Sequence, residues 1–126
     1  MVLGIMICHG DLAVGLSNAA GRILGPQEGL LAFSNSGLAP RVLYQRVMDA
    51  LREHEGLPAV IMVDIRGGSC WTVARMINRE YPEIPVLSGV NLPMVVSFLT
   101  KREREPFENL PELMISGASK GLALDR

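Results

Sequence analysis

The sequence predicts an α/β fold: a doubly wound, mainly parallel sheet of about four strands, covered by helices on both faces. Three observations carry that reading. Short apolar runs alternate with amphipathic stretches at roughly 25–30 residues per unit, the spacing of strand–helix–strand connections. The short runs are apolar at consecutive positions, which suits strands buried on both faces. Glycine and proline then mark the ends of the amphipathic stretches.

The elements follow in order. Leu3–Cys8 reads as the first strand, and Leu12, Leu16, Ala19, Ala20, Ile23 and Leu24 recur at helical spacing until Gly25-Pro26. Asp11 stands before that helix as an expected cap. Gly29–Phe33 is the second strand. Leu43, Val47, Ala50, Leu51 and His54 form the next apolar stripe, with Arg46, Asp49, Arg52 and Glu53 on the wet side. Gly56 and Pro58 close it. Ala59–Val63 is the third strand, followed by a helix on Cys70, Val73, Ala74, Ile77 and Tyr81 that Pro82 stops. Ile84–Leu87 is the fourth strand. Asn91-Leu92-Pro93 looks like a cap with a first-turn proline, opening a helix that Lys101–Glu105 and Pro106 end. A last amphipathic segment is expected from Phe107 to Leu124. With no linker, repeat or low-complexity segment, residues 1–126 are expected to form one domain.

The totals exclude several classes of function. A formal net charge of -1 gives no global basic field for nucleic acid or anionic lipid. Cys8 and Cys70 lie far apart without CxxC spacing, which suits reduced thiols in the cytoplasm. The apolar start lacks a basic leader, and His9 and Asp11 interrupt it too early for a signal peptide. No stretch approaches the ~18 consecutive apolar residues of a membrane span. The expectation is a cytoplasmic protein with no direct membrane insertion.

In a sheet of this kind ligands bind beyond the carboxyl ends of the strands. His9 stands at the first such end, beside Gly10, which permits close approach. Its imidazole has three possible uses: nucleophile, general base or metal ligand. Asp64 ends the third strand and is placed to fix the His9 tautomer; the competing use is a helix cap. Ser69 lies nearer the helical stripe and is the better expected cap. Gly67-Gly68-Ser69 before a helix suits an anion cradle, to which Arg66 adds charge. There is no magnesium-binding carboxylate cluster and no GxxxxGK[ST] loop. With His54 on a helix face, no metal set assembles, and no cofactor is expected. The economical chemistry is transfer of a phosphoryl group onto and off His9.

Three separated motifs occur in order over nearly the whole chain: the strand ending in His9-Gly10, Val63-Asp64 with Gly67-Gly68-Ser69, and Gly89-Val90-Asn91-Leu92-Pro93-Met94. Together they resemble the enzyme IIA domain of the mannose/fructose/sorbose class of the phosphoenolpyruvate-dependent sugar phosphotransferase system. The resemblance implies that His9 is the phosphorylated residue and that Asp64 hydrogen-bonds its ring. It also implies that Gly67, Gly68 and Ser69 hold the phosphate, and that Asn91 and Pro93 border the site. The implied donor is the histidine carrier HPr, the implied acceptor a IIB component, and the implied assembly a homodimer. Cys8, Arg66 and Cys70-Trp71 depart from the residues common at those positions, and a fused IIB domain is not expected.

Other classes fit less well. A receiver-type signalling domain phosphorylated on Asp64 needs an acidic pair after strand one, and CHGD offers one acid. A serine hydrolase built from Ser69, His9 and Asp64 lacks the GxSxG elbow. A binding module with a degenerate site is the remaining alternative.

Overall fold

The structure, a computed structural model, describes residues 1–126. The elements are β1 (Leu3–Cys8), α1 (Leu12–Leu24), β2 (Leu30–Ser34), α2 (Pro40–Glu53), β3 (Ala59–Val63), α3 (Ser69–Glu80), β4 (Val86–Ser88), α4 (Leu92–Lys101) and α5 (Leu110–Lys120). A single 3-10 turn, Phe107–Asn109, leads into α5. The sheet runs β2-β1-β3-β4 with every pair parallel. The chain moves outward from β1 to β2, then crosses back over β1 to reach β3. The expected doubly wound sheet is therefore present, and its order reverses between β1 and β3.

The two faces can be read directly from the strands, because successive side chains alternate. Met6 and Cys8 of β1 and Val60 and Met62 of β3 pack under α1, α4 and α5, with Leu16, Phe98 and Met114 in the same cluster. Leu3, Ile5 and Ile7, with Ile61 and Val63, pack under α2 and α3 against Leu43, Val47, Val73 and Ile77. Central strands β1 and β3 are buried throughout, while edge strand β2 is half-buried. Arg102 closes the end of the sheet away from the crevice. Its buried guanidinium donates to the carbonyls of Val2 (3.1 Å) and Glu28 (2.7 Å) and lies over the Phe98 ring.

Strand β2 is shifted by one residue, to Leu30–Ser34 from the expected Gly29–Phe33, and three further boundaries differ for local reasons. Strand β4 begins at Val86 rather than Ile84, because Ile84 N–H turns back to the Tyr81 carbonyl and Pro85 has no N–H to give. The last helix starts at Leu110, after the 3-10 turn, and stops at Lys120. Leu122 and Leu124, inside the expected segment, lie beyond the helix and are 78% and 75% exposed. Helix α3 takes Gly68 as its cap position, so Ser69 is its first helical residue and not the cap. No helix is long and apolar enough to cross a membrane.

Candidate functional site

Parallel register assembles the site. Ile7 pairs with Val63 and Cys8 with Ser34, so the residues that follow these strands, His9, Asp64 and Asn35, emerge side by side. Asp64 receives three hydrogen bonds. His9 N–H and His9 Nδ1 both reach Oδ2 at 2.8 Å, and Ile65 N–H donates to Oδ1 at 2.9 Å. The aspartate side chain is only 9% exposed whereas the His9 side chain is 46% exposed. Burial pushes the Asp64 carboxyl up, but the bonds from His9 and Ile65 outweigh it and hold the group below the usual aspartate value.

An ionised carboxylate only accepts, so Nδ1 must be the protonated nitrogen of the neutral ring. Nε2 is then left with its lone pair, on the side where α3 begins. Ser69 Oγ lies 3.5 Å from Nε2, and a methyl group on Gly68 would stand 3.4 Å from Cε1 and 4.0 Å from Nε2. Gly67 has a φ of 87°, a left-handed turn that turns the chain into the helix at no steric cost. Gly10, with a φ of 58°, does the same between β1 and α1. Asp11 occupies the cap position of α1, yet its side chain makes no cap hydrogen bond.

The remaining expected residues are spread around this centre. Arg66 is exposed and lines a groove along β4 with Trp71, Arg75, Ser88 and Ile115, in which Arg75 stacks over the Trp71 ring. That groove, although the larger of the two principal ones, does not include His9. His9 stands on open surface instead. Asn91 caps α4, accepting from Met94 N–H at 2.9 Å and donating to the Ala118 carbonyl at 3.2 Å. Pro93 packs against Gly121. His54, the other histidine, ends α2 with Nδ1 2.8 Å from the Ala50 carbonyl oxygen.

Two neighbours of His9 carried no role in the sequence reading. Asn35 bonds both Gly10 and Ser69, and Cys70 Sγ sits 3.8 Å from His9 Nδ1. The donor atoms of His9, Asp64 and Cys70 all lie within 4.8 Å of one another, a spacing that a divalent ion could span. Such an ion would have to displace the proton shared by His9 and Asp64. It would also need a Cys70 thiolate, which burial and the Asp64 charge disfavour by pushing that thiol up.

Fold and site together define a class: a doubly wound α/β protein that presents a carboxylate-paired imidazole, beside a glycine turn, where the strand order reverses. The family described as the PTS (phosphotransferase system) fructose IIA component, EIIA-man, matches residues 4–115. The chain belongs to this family. It is 30% identical over 115 residues to the fructose-specific EIIA component of Bacillus subtilis (strain 168), spanning 87% of this chain and 77% of that one. It is also 30% identical over 128 residues to the mannose-specific EIIAB component of Escherichia coli (strain K12), covering 97% of this chain and 39% of that longer protein. Among solved structures, component EIIA from Streptococcus agalactiae superposes with a TM-score of 0.87 at 24% identity, covering 98% of this chain and 96% of that one. The mannose/sorbose IIA subunit from Enterococcus faecalis gives 0.86 at 19% identity, over 98% and 94% of the two chains. These two likenesses bear on the fold. Family membership supports a phosphoryl-carrier role in the sugar phosphotransferase system.

Proposed function

We propose that His9 is the phosphoryl carrier of a single IIA domain, loaded by phospho-HPr and unloaded by a IIB component in the cytoplasm. The observation that carries this is the 2.8 Å contact between His9 Nδ1 and Asp64 Oδ2, which keeps the proton on Nδ1 and leaves Nε2 its lone pair. Nε2 attacks phosphorus, the new P–N bond forms as the bond to the donor histidine breaks, and the electron pair leaves with the donor. Asp64 keeps the Nδ1 proton in place and balances the positive charge of the modified ring. The Gly67-Gly68 turn and Ser69 at the start of α3 supply donors for the phosphoryl oxygens. Arg66 and Gly10, with Asn91 and Pro93 further along the rim, border the area that a partner covers. An open setting suits the reading, since two proteins have to reach the same nitrogen in turn. No metal or cofactor takes part in the proposed transfer. The free edge of β4, with its groove, offers a place for a second copy, and a homodimer is part of the proposal.

The test is to incubate the protein with phosphoenolpyruvate, enzyme I and HPr, and to map the label. We expect label on His9 that survives alkali and is lost in acid. His9→Ala abolishes it, and Asp64→Asn slows transfer roughly tenfold or more while the protein stays folded. Label that persists in His9→Ala, or that is lost in alkali, overturns the assignment; the second result would point to an acyl phosphate on Asp64.

One observation favours a second reading. Ser69 Oγ, His9 and Asp64 stand in the order of a hydrolytic relay. Acyl transfer would make Ser69 indispensable, whereas the carrier reading predicts that Ser69→Ala is still labelled on His9, only more slowly.

A further inference from the structure

Asn35 follows β2 directly, and none of the steps above uses it. Its side chain joins two parts of the site. Gly10 N–H donates to Oδ1 at 3.4 Å, and Nδ2 donates to the Ser69 hydroxyl at 3.3 Å. A backbone N–H can be met only by the amide oxygen, so the Gly10 contact fixes which end of the amide faces Ser69. Ser69 Oγ in turn lies 3.5 Å from His9 Nε2.

We propose that Asn35 is a positioning residue for phosphoryl transfer, holding the Ser69 hydroxyl as a donor toward the phosphoryl group on His9 Nε2. The inference rests on the carrier reading of His9. A serine hydroxyl has one proton and two lone pairs, and on its own it rotates to suit whatever is near. When Asn35 Nδ2 fills one lone pair, the O–H must point elsewhere, and Nε2, 3.5 Å away, is an acceptor it reaches. Before transfer the hydroxyl meets the Nε2 lone pair. Formation of the P–N bond consumes that pair and leaves the hydroxyl aimed where the phosphoryl oxygens come to lie. A donor oriented in advance needs no rearrangement as charge develops. Asn35 itself gives up no proton and forms no covalent bond. The competing view is that Asn35 only ties the loop after β2 to the loop after β1.

The deciding measurement is the single-turnover rate of transfer from phospho-HPr to the protein, taken for the unsubstituted chain, Asn35→Ala, Ser69→Ala and the double variant. Asn35→Ala is expected to be roughly tenfold slower, with an unchanged half-saturating concentration of phospho-HPr. In the Ser69→Ala background the same change is expected to have no further effect, because Asn35 acts through that hydroxyl. The Nε2 nitrogen resonance of His9 in the unphosphorylated protein should shift alike in both single variants. Asn35→Asp keeps an acceptor for Gly10 and removes the donor, so it serves if Asn35→Ala does not fold. Full rate in either Asn35 variant, or equal slowing with and without Ser69, overturns the proposal while His9 remains the carrier. An unsubstituted protein that takes no label on His9 overturns the carrier reading and this one with it.

Discussion

At the scale of single residues, His9 is defined as much by what is missing near it as by what touches it. Gly68 has an extended backbone, with φ -81° and ψ -179°, which any residue adopts. A methyl group there would meet His9 Cε1 at 3.4 Å and the Ile65 carbonyl at 3.7 Å, both ordinary contacts. Gly68→Ala should therefore fold with an unchanged thermal midpoint. The same methyl would stand 4.0 Å from Nε2, inside the volume that a tetrahedral phosphoryl group needs. Transfer from phospho-HPr is expected to fall roughly ten- to a hundredfold through misplacement of the reacting group. A normal rate in this variant would mean that the group is held on the other side of the ring. His9, Asp64 and the glycine pair were legible in the sequence because polar residues and glycines stood out after buried strands. Asn35 was not. Its contacts depend on Cys8 pairing with Ser34, a register that no spacing within one segment encodes. Ser69 was legible as a residue of the site but misread as a cap, because its hydroxyl faces Asn35 and His9 rather than the turn of its own helix.

At the scale of elements, the amphipathic stripes marked α1 to α3 well, since each has an apolar face closed by glycine or proline, and the Asn91-Leu92-Pro93 cap marked α4. They marked β4 and α5 less well. Only the third dimension shows that β4 starts after Pro85, or that Leu122 and Leu124 are left exposed beyond the end of α5. The contact that seats α5 on α4 is also invisible in one dimension, because it rests on a glycine with no pattern of its own. A Cβ on Gly117 would run into the Ser97 hydroxyl and come within 2.8 Å of Ser97 Cβ. Replacing a helical glycine by alanine normally gains about 1 kcal/mol in helix propensity. Overpacking costs about 1–3 kcal/mol, and here the close atom is a Cβ that cannot rotate away. The clash wins, and Gly117→Ala should lower the unfolding free energy by about 1 kcal/mol or more in a urea titration. A more stable variant would show that the two helices slide apart without cost.

At the scale of the whole molecule, alternation of strands and helices was enough to predict a parallel sheet wound on both faces. The strand order β2-β1-β3-β4 was not legible, because pairing partners leave no trace in periodicity. That order is nonetheless what couples the site to the stability of the fold. Asp64 binds the end of β3 to the first residue after β1 through the backbone as well as the ring of His9, so its charge holds the two central strands together where they emerge. The carboxyl titrates below its ordinary value of 3.8 in the folded protein, and the unfolded chain therefore takes up the proton first as pH falls. The stabilisation from ionised Asp64 is thus complete above the ordinary aspartate range and lost as pH drops through the lower, folded value. Comparison with Asp64→Asn isolates it, since every other carboxylate is common to both chains. In urea titrations between about pH 5 and pH 2, the stability advantage of the unsubstituted protein should hold at the upper end and shrink steadily through the acid limb. An advantage that stays constant throughout, or that grows on acidification, would show that Asp64 is not held in its charged form by His9.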